Sequence, residues 1–120
     1  MKFTYSMKEN KKFKYVLNKG FYSSKKYITV HAIKINRNSN FKKINYLGIC
    51  VSKKNGISVH RNKMKRWARE AYKQEEINLK KGYNIIILYK KYVKLDMIDF
   101  NIIYKQLKEC FGELDLYEKS

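Results

Sequence analysis

The sequence predicts an α/β sandwich, one sheet covered by helices within a single domain over 1–120. Two observations carry that expectation. Hydrophobic periodicity alternates along the 120 residues in the order helix, strand, strand, helix, strand, helix. One strand, Tyr83–Tyr89 (YNIIILY), is apolar at nearly every position, as a strand interior to a sheet and buried on both faces must be. A chain of this length can bury one core without disulfides or metals.

Ser6-Met7-Lys8-Glu9 has capping-box spacing, and Met7, Phe13, Val16 and Leu17 follow near helical spacing. A first helix is expected over 7–19, ended by Gly20, with residues 21–26 as a connector. Tyr27–Ile35 (YITVHAIKI) is β-branched and apolar, a strand. Asn36–Lys43 is an Asn-rich polar turn of hairpin type, and Ile44–Val51 (INYLGICV) is the return strand. Asn55-Gly56 signals a turn, and a basic helix is expected from about 59 to 76. Asn78–Gly82 and Lys90–Leu95 read as cationic loops flanking the apolar strand. Asp96 is placed to cap the last helix, with Asp99 three positions on. Phe100, Ile103, Tyr104, Leu107 and Phe111 form its buried stripe and Gly112 its end, with 113–120 a frayed tail. No repeat or second domain is found.

The net charge of +18 is the abnormal quantity. Such self-repulsion opposes compactness, so a polyanionic partner is expected. Proline is absent, and Lys, Asn, Ile and Tyr are abundant, a bias that an AT-rich coding genome also produces. Lysine number alone is therefore weak testimony. Met1–Asn10 lacks the apolar core of a secretory signal, and no apolar run nears the ~20 residues that span a bilayer. Cys50 and Cys110 stand apart, as free thiols of a reducing cytoplasm do. His31 and His60 are isolated, so a metal held by the protein is not expected.

The stretch Ser52–Glu70 (SKKNGISVHRNKMKRWARE) carries seven cations and one acid. On a helix, Arg61, Asn62, Lys65, Arg66, Arg69 and Lys73 fall on one side, and Met64, Trp67, Ala68 and Ala71 on the other. Trp67 is expected in the core. The chain has only four arginines, and three of them lie here. Arginine supplies a planar fork that clamps a phosphate or a base edge, where lysine supplies a point charge. A fixed cationic face of this kind suits a polyphosphate backbone, although a solvated surface helix can also be basic.

The run Val51-Ser52-Lys53-Lys54, Gly56, Val59, Arg61-Asn62-Lys63, Lys65-Arg66, Arg69-Glu70 resembles the signature of the bacterial ribonuclease P protein subunit. Lys63 departs from it, standing where the family has the second arginine of an Arg-Asn-Arg core. The resemblance implies the order α-β-β-β-α-β-α on a four-stranded sheet, with a left-handed βαβ crossover around the basic helix. It implies a protein that binds a catalytic RNA and the single-stranded 5′ leader of precursor tRNA, supporting endonucleolytic 5′ maturation of tRNA. The RNA subunit carries the chemistry with Mg2+, so no protein residue is catalytic. One protein per RNA, in the cytoplasm and away from membranes, is the implied arrangement. Lys53, Lys54, Arg61, Asn62, Lys63, Lys65, Arg66 and Arg69 are implied to face the RNA subunit. Phe13, Leu17 and Val30 are implied to line a leader cleft between the first helix and the sheet. Plain core packing is an equal reading of Phe13 and Leu17, because the first helix has little other apolar surface to bury.

Two other classes compete. A structural RNA-binding protein of the ribosomal kind explains charge and size but not the 51–70 pattern. A cationic membrane-surface protein needs a larger apolar helix face than Ala68 and Ala71 supply. A protein-only nuclease is weaker still: no nucleophile–base pair or paired carboxylates can be assembled. Glu70, alone among cations, reads as a partner for Arg66 or Lys73.

Overall fold

A computed structural model describes residues 1–35 and 43–119. The elements are β1 (Thr4–Ser6), α1 (Asn10–Lys19), β2 (Phe21–Ser24), β3 (Ile28–Lys34), β4 (Asn45–Cys50), α2 (Ser58–Glu75), β5 (Tyr83–Tyr89) and α3 (Phe100–Glu113). The sandwich is as expected, but its sheet has five strands in the order β1-β4-β5-β3-β2.

The run Tyr83–Tyr89 is central in the sheet and apolar enough to be buried on both faces. Ile85 and Ile87 join the larger core under α2 and α3, and Ile86 joins a smaller core under α1. β5 pairs antiparallel with β3 (His31 opposite Ile86) and parallel with β4 (Gly48 opposite Ile86). The expected hairpin between the Tyr27–Ile35 and Ile44–Val51 strands is therefore overturned, since β5 lies between them. The Asn-rich segment 36–42 lies outside the described residues. β4, α2 and β5 make a βαβ unit, as two parallel neighbours require.

The two outer strands escape sequence reading for identifiable reasons. β1 is three residues long and is held by β4 and by Thr4 Oγ1 bonded to the Tyr72 hydroxyl at 2.7 Å. β2 inverts the usual pattern: Phe21 is 77% and Tyr22 66% exposed, while Ser23 is buried and donates to Glu113 Oε1 at 2.6 Å. Residues 21–26 are thus largely strand and not connector.

Helix termini also move. Ser6 belongs to β1, so no capping box forms, and α1 starts at Asn10 after Glu9. Asp99 caps α3 in place of Asp96, its Oδ1 accepting from Ile102 N–H at 2.9 Å. Gly112 lies inside α3, and Asp115 at φ 55° makes the turn beyond it. The tail is not frayed through Glu118. Leu116 is buried and accepts from Lys80 N–H at 2.7 Å, and Glu118 N–H bonds the Asn78 carbonyl at 2.8 Å.

Two buried acids next to one another fasten both chain ends to α2. Glu75 accepts from the hydroxyls of Tyr104 (2.6 Å) and Tyr117 (2.8 Å). Glu76 accepts from the backbone N–H groups of Lys2 (2.7 Å) and Phe3 (3.1 Å). Met64, Ala68 and Ala71 are buried as expected, but Trp67 is only half-buried, at the edge of the core.

Candidate nucleic-acid interface

The basic helix is aimed by its approach loop. Ser52 and Asn55 bond reciprocally: Ser52 N–H donates to Asn55 Oδ1 (2.9 Å), and Asn55 N–H donates to the Ser52 carbonyl (3.0 Å), while Lys54 N–H donates to Ser52 Oγ (3.1 Å). Gly56, at φ 140°, then turns the chain through a conformation that L side chains resist. Along α2 the Tyr89 hydroxyl donates to the Met64 carbonyl at 2.8 Å and pins the helix to the central strand. Burial pushes that phenol well above its ordinary range, so it stays a donor.

Asn62, Lys63, Arg66 and Arg69 are exposed on α2, with Lys53 and Lys54 exposed on the loop before it. Arg61 is turned inward instead. Its Nε donates to the Gly56 carbonyl (3.1 Å) and its Nη2 to Ser58 Oγ (3.1 Å), so it braces the loop. Lys63 Nζ lies 5.4 Å from the Trp67 ring centre, and Glu70 pairs with Lys73 at 3.5 Å, as its spacing allowed. Lys65 is half-buried and reaches toward β4.

The other sheet face carries α1. Strand register places side chains on it in rows. One row crosses Ser24, Thr29, Leu88 and Cys50, and the next crosses Tyr22, His31, Ile86 and Gly48. Phe13 sits on Gly48, where an added Cβ would lie 2.5 Å from the Phe13 Cζ. The ring is half-buried against Met7, Val16 and Ile86, so it is at once core and groove wall. Leu17 is 37% exposed. Val30 does not reach this face. It is fully buried in the core beneath α2 and α3, and its neighbour His31 takes the groove position. Alternation makes a one-residue offset a change of face.

Lys65 joins the two surfaces. It borders a recess with Cys50, Ser52, Leu88 and Lys90, and another with Phe13, Gly48, Ile49 and Arg69. At the β1 edge, Lys12 Nζ stands 3.8 Å over the Tyr46 ring, which meets Tyr5 at 6.3 Å. At the β2 edge, Tyr22 and His31 face each other at 5.6 Å. Burial lowers the His31 pKa, and its Nδ1 has no hydrogen-bond partner among the described residues. Burial raises the Cys50 thiol, against the opposing charge of Lys65, so it is no ready nucleophile. The aromatics Tyr5, Tyr22 and Tyr46 carry no sequence motif and become groove residues only through register.

Among the described residues no three of His, Cys, Asp and Glu gather to hold a metal, and no helix is long and apolar enough to cross a membrane. The arrangement is one of contact: a cationic helix face joined at Lys65 to a groove with aromatic walls.

Residues 1–115 match the family model described as Ribonuclease P. The ribonuclease P protein component of Natranaerobius thermophilus is 33% identical over 115 residues, covering 96% of this chain and 94% of that protein. That of Exiguobacterium sibiricum is 34% identical over 88 residues, covering 73% and 72%. In structure, a Staphylococcus aureus RNase P protein mutant with defective mRNA degradation activity superposes with a TM-score of 0.80. It is 26% identical, with 94% of this chain and 90% of that one covered.

Proposed function

The chain belongs to the bacterial ribonuclease P protein family, and we propose that it docks on the catalytic RNA through α2 while holding the 5′ leader of precursor tRNA in the α1-side groove. The observation that carries this is the division of α2. Asn62, Lys63, Arg66 and Arg69 are exposed on the side away from buried Met64, Ala68 and Ala71. Arginine forks and an amide at fixed spacing can grip successive phosphates of a folded RNA. Lys53 and Lys54 extend that surface along the approach loop. Arg61 contributes by holding the loop in place, and Lys65 serves the junction with the groove.

In the groove, Phe13 offers a ring and Leu17 an aliphatic edge to an unpaired strand, with cations at the rim. Hydrolysis at the tRNA 5′ end belongs to the RNA subunit and its magnesium ions. One protein acts per RNA, in the cytoplasm, where Cys50 and Cys110 remain thiols.

Co-purification tests the reading. The tagged protein is expected to retain one abundant RNA from cells and to restore 5′ cleavage by that RNA at low magnesium. Recovery of ribosomal RNA alone, with no stimulation of cleavage, would sink it.

A further inference from the structure

We infer that Tyr22, backed by His31, is a separate stacking site for one unpaired base at the far end of the groove. This rests on the leader reading proposed above and adds the point where the strand leaves the protein. Three observations support it. Tyr22 is 66% exposed although it stands in a paired strand. Its ring lies 5.6 Å from His31 at an interplanar angle of 32°, so one wall of a ring pair is already set and the outer face is free. The same cross-strand row continues through Ile86 to Gly48 beneath Phe13, placing the two aromatic sites on one sheet face at opposite ends of one row.

Distance makes the two sites separable. From β4 to β2 the row crosses β5 and β3, three strand spacings or about 14 Å. A strand stacked at ~3.4 Å per nucleotide covers that in about four nucleotides, and a more extended one in fewer. Phe13 stands at the end bordered by Lys65 and Arg69 of α2, next to the surface assigned to the RNA subunit. Tyr22 stands at the opposite, outer edge of the sheet. A leader leaving the catalytic RNA therefore meets Phe13 first and Tyr22 two to four nucleotides later.

Chemistry favours a nucleobase over an apolar peptide as occupant. The next row beside Tyr22 is hydroxyl-bearing, Ser24 and Thr29 with their oxygens 3.3 Å apart. Exposed Lys19 and Lys26 end α1 and follow β2, on a chain of net charge +18. Glu113 and Asp115 also border the recess beside Tyr22, so the ring itself, next to a hydroxyl-bearing row, is what suits a flat heterocycle. His31, neutral because burial lowers its pKa, adds a ring without adding a charge.

The test uses holoenzyme reconstituted with its RNA subunit and precursor tRNAs whose leaders grow one nucleotide at a time. Tyr22→Ala, Tyr22→Phe and Phe13→Ala are compared, each checked by circular dichroism. Tyr22→Ala should leave short leaders as they are in the parent and weaken longer ones about five-fold or more, a stacking loss of at least ~1 kcal/mol. Tyr22→Phe should restore the affinity. An abasic scan of the leader should find one position whose loss is not additive with Tyr22→Ala, lying two to four nucleotides beyond the position coupled to Phe13. If Phe13→Ala weakens leader binding while Tyr22→Ala matches the parent at every length, this site is wrong and the leader reading stands. If the parent shows no dependence on leader length, both are wrong.

Discussion

Asn55 and Val93, 38 residues apart, are joined by one buried hydrogen bond: the Asn55 side-chain amide donates to the Val93 carbonyl at 2.8 Å. The same amide donates to the Lys90 carbonyl at 2.9 Å, and its oxygen accepts from Ser52. A single fully buried side chain thus ties the loop entering α2 to the loop leaving β5, and it fixes where the cationic helix begins.

Asn55→Ala should therefore destabilise the protein more than a turn residue usually does. It orphans two carbonyls and an N–H in a partly buried site, each worth about 1–3 kcal/mol if left unpaired, and partial solvation brings the expected total to about 2–4 kcal/mol. Urea unfolding measures it. A change under ~0.5 kcal/mol would show that the two loops hold each other without Asn55.

Arg61 and Arg66 should behave as different kinds of residue. Arg66→Ala removes an exposed fork and should weaken assembly with the RNA subunit by about 1–3 kcal/mol with thermal stability unchanged. Arg61→Ala loses the bonds to Gly56 and Ser58, so its melting temperature should fall as well. Titration of the RNA subunit alongside thermal melts separates them; two variants with identical profiles would contradict the inward placement of Arg61.

Acid should reveal His31. Burial holds its pKa below the ordinary 6.5, so the unfolded chain takes up the proton first. Its contribution is whole above pH 6.5 and is lost as pH falls through the lower folded value. Glu76 acts further down. Burial pushes its carboxyl up, but the N–H groups of Lys2 and Phe3, with Thr4 and the N-terminal charge, leave it below the ordinary 4.5. Its share is lost only beneath that pH. Stability measured from pH 7 to 5 should decline, and His31→Phe should flatten that decline while leaving the steeper loss below 4.5. An unchanged slope in the variant would assign the decline to another group.

The difference between what the sequence shows and what it hides follows one rule. Segments whose local pattern agrees with their burial are legible: Tyr83–Tyr89 as the doubly buried strand, the divided face of α2, the stripe of α3. Where side chains serve a surface or a distant partner, the pattern misleads. Ser23 is buried because Glu113, 90 residues on, accepts its hydroxyl, while Phe21 and Tyr22 stay exposed, so β2 has the polarity of a loop. Val30 and His31 mark the finest limit. The strand is plain in the sequence, but which of two adjacent residues faces the groove depends on pairing with β5. The buried acids Glu75 and Glu76 are invisible for the same reason, since their partners lie at the two ends of the chain.

Phe13 and Gly48 supply the decisive pair. Phe13→Ala removes the ring that walls the groove beside Lys65 and should weaken holoenzyme affinity for leader-bearing precursor tRNA by about 1–2 kcal/mol, with mature tRNA much less affected. Taken alone, a loss at Phe13 is ambiguous, because the ring is also half core. Gly48→Ala resolves it. The new methyl would stand 2.5 Å from the Phe13 Cζ, so the ring must swing away while every atom of it is retained. If the ring's position matters to the leader, Gly48→Ala should reproduce the selective loss of Phe13→Ala. Val30→Ala supplies the contrast, since it opens the opposite core and should cost stability by about 1–3 kcal/mol with no preference between the two substrates. The measurement is a paired titration of leader-bearing and leaderless tRNA for all three variants. Equal weakening of both substrates by Phe13→Ala and Gly48→Ala would make Phe13 a core residue and move the leader elsewhere on the protein.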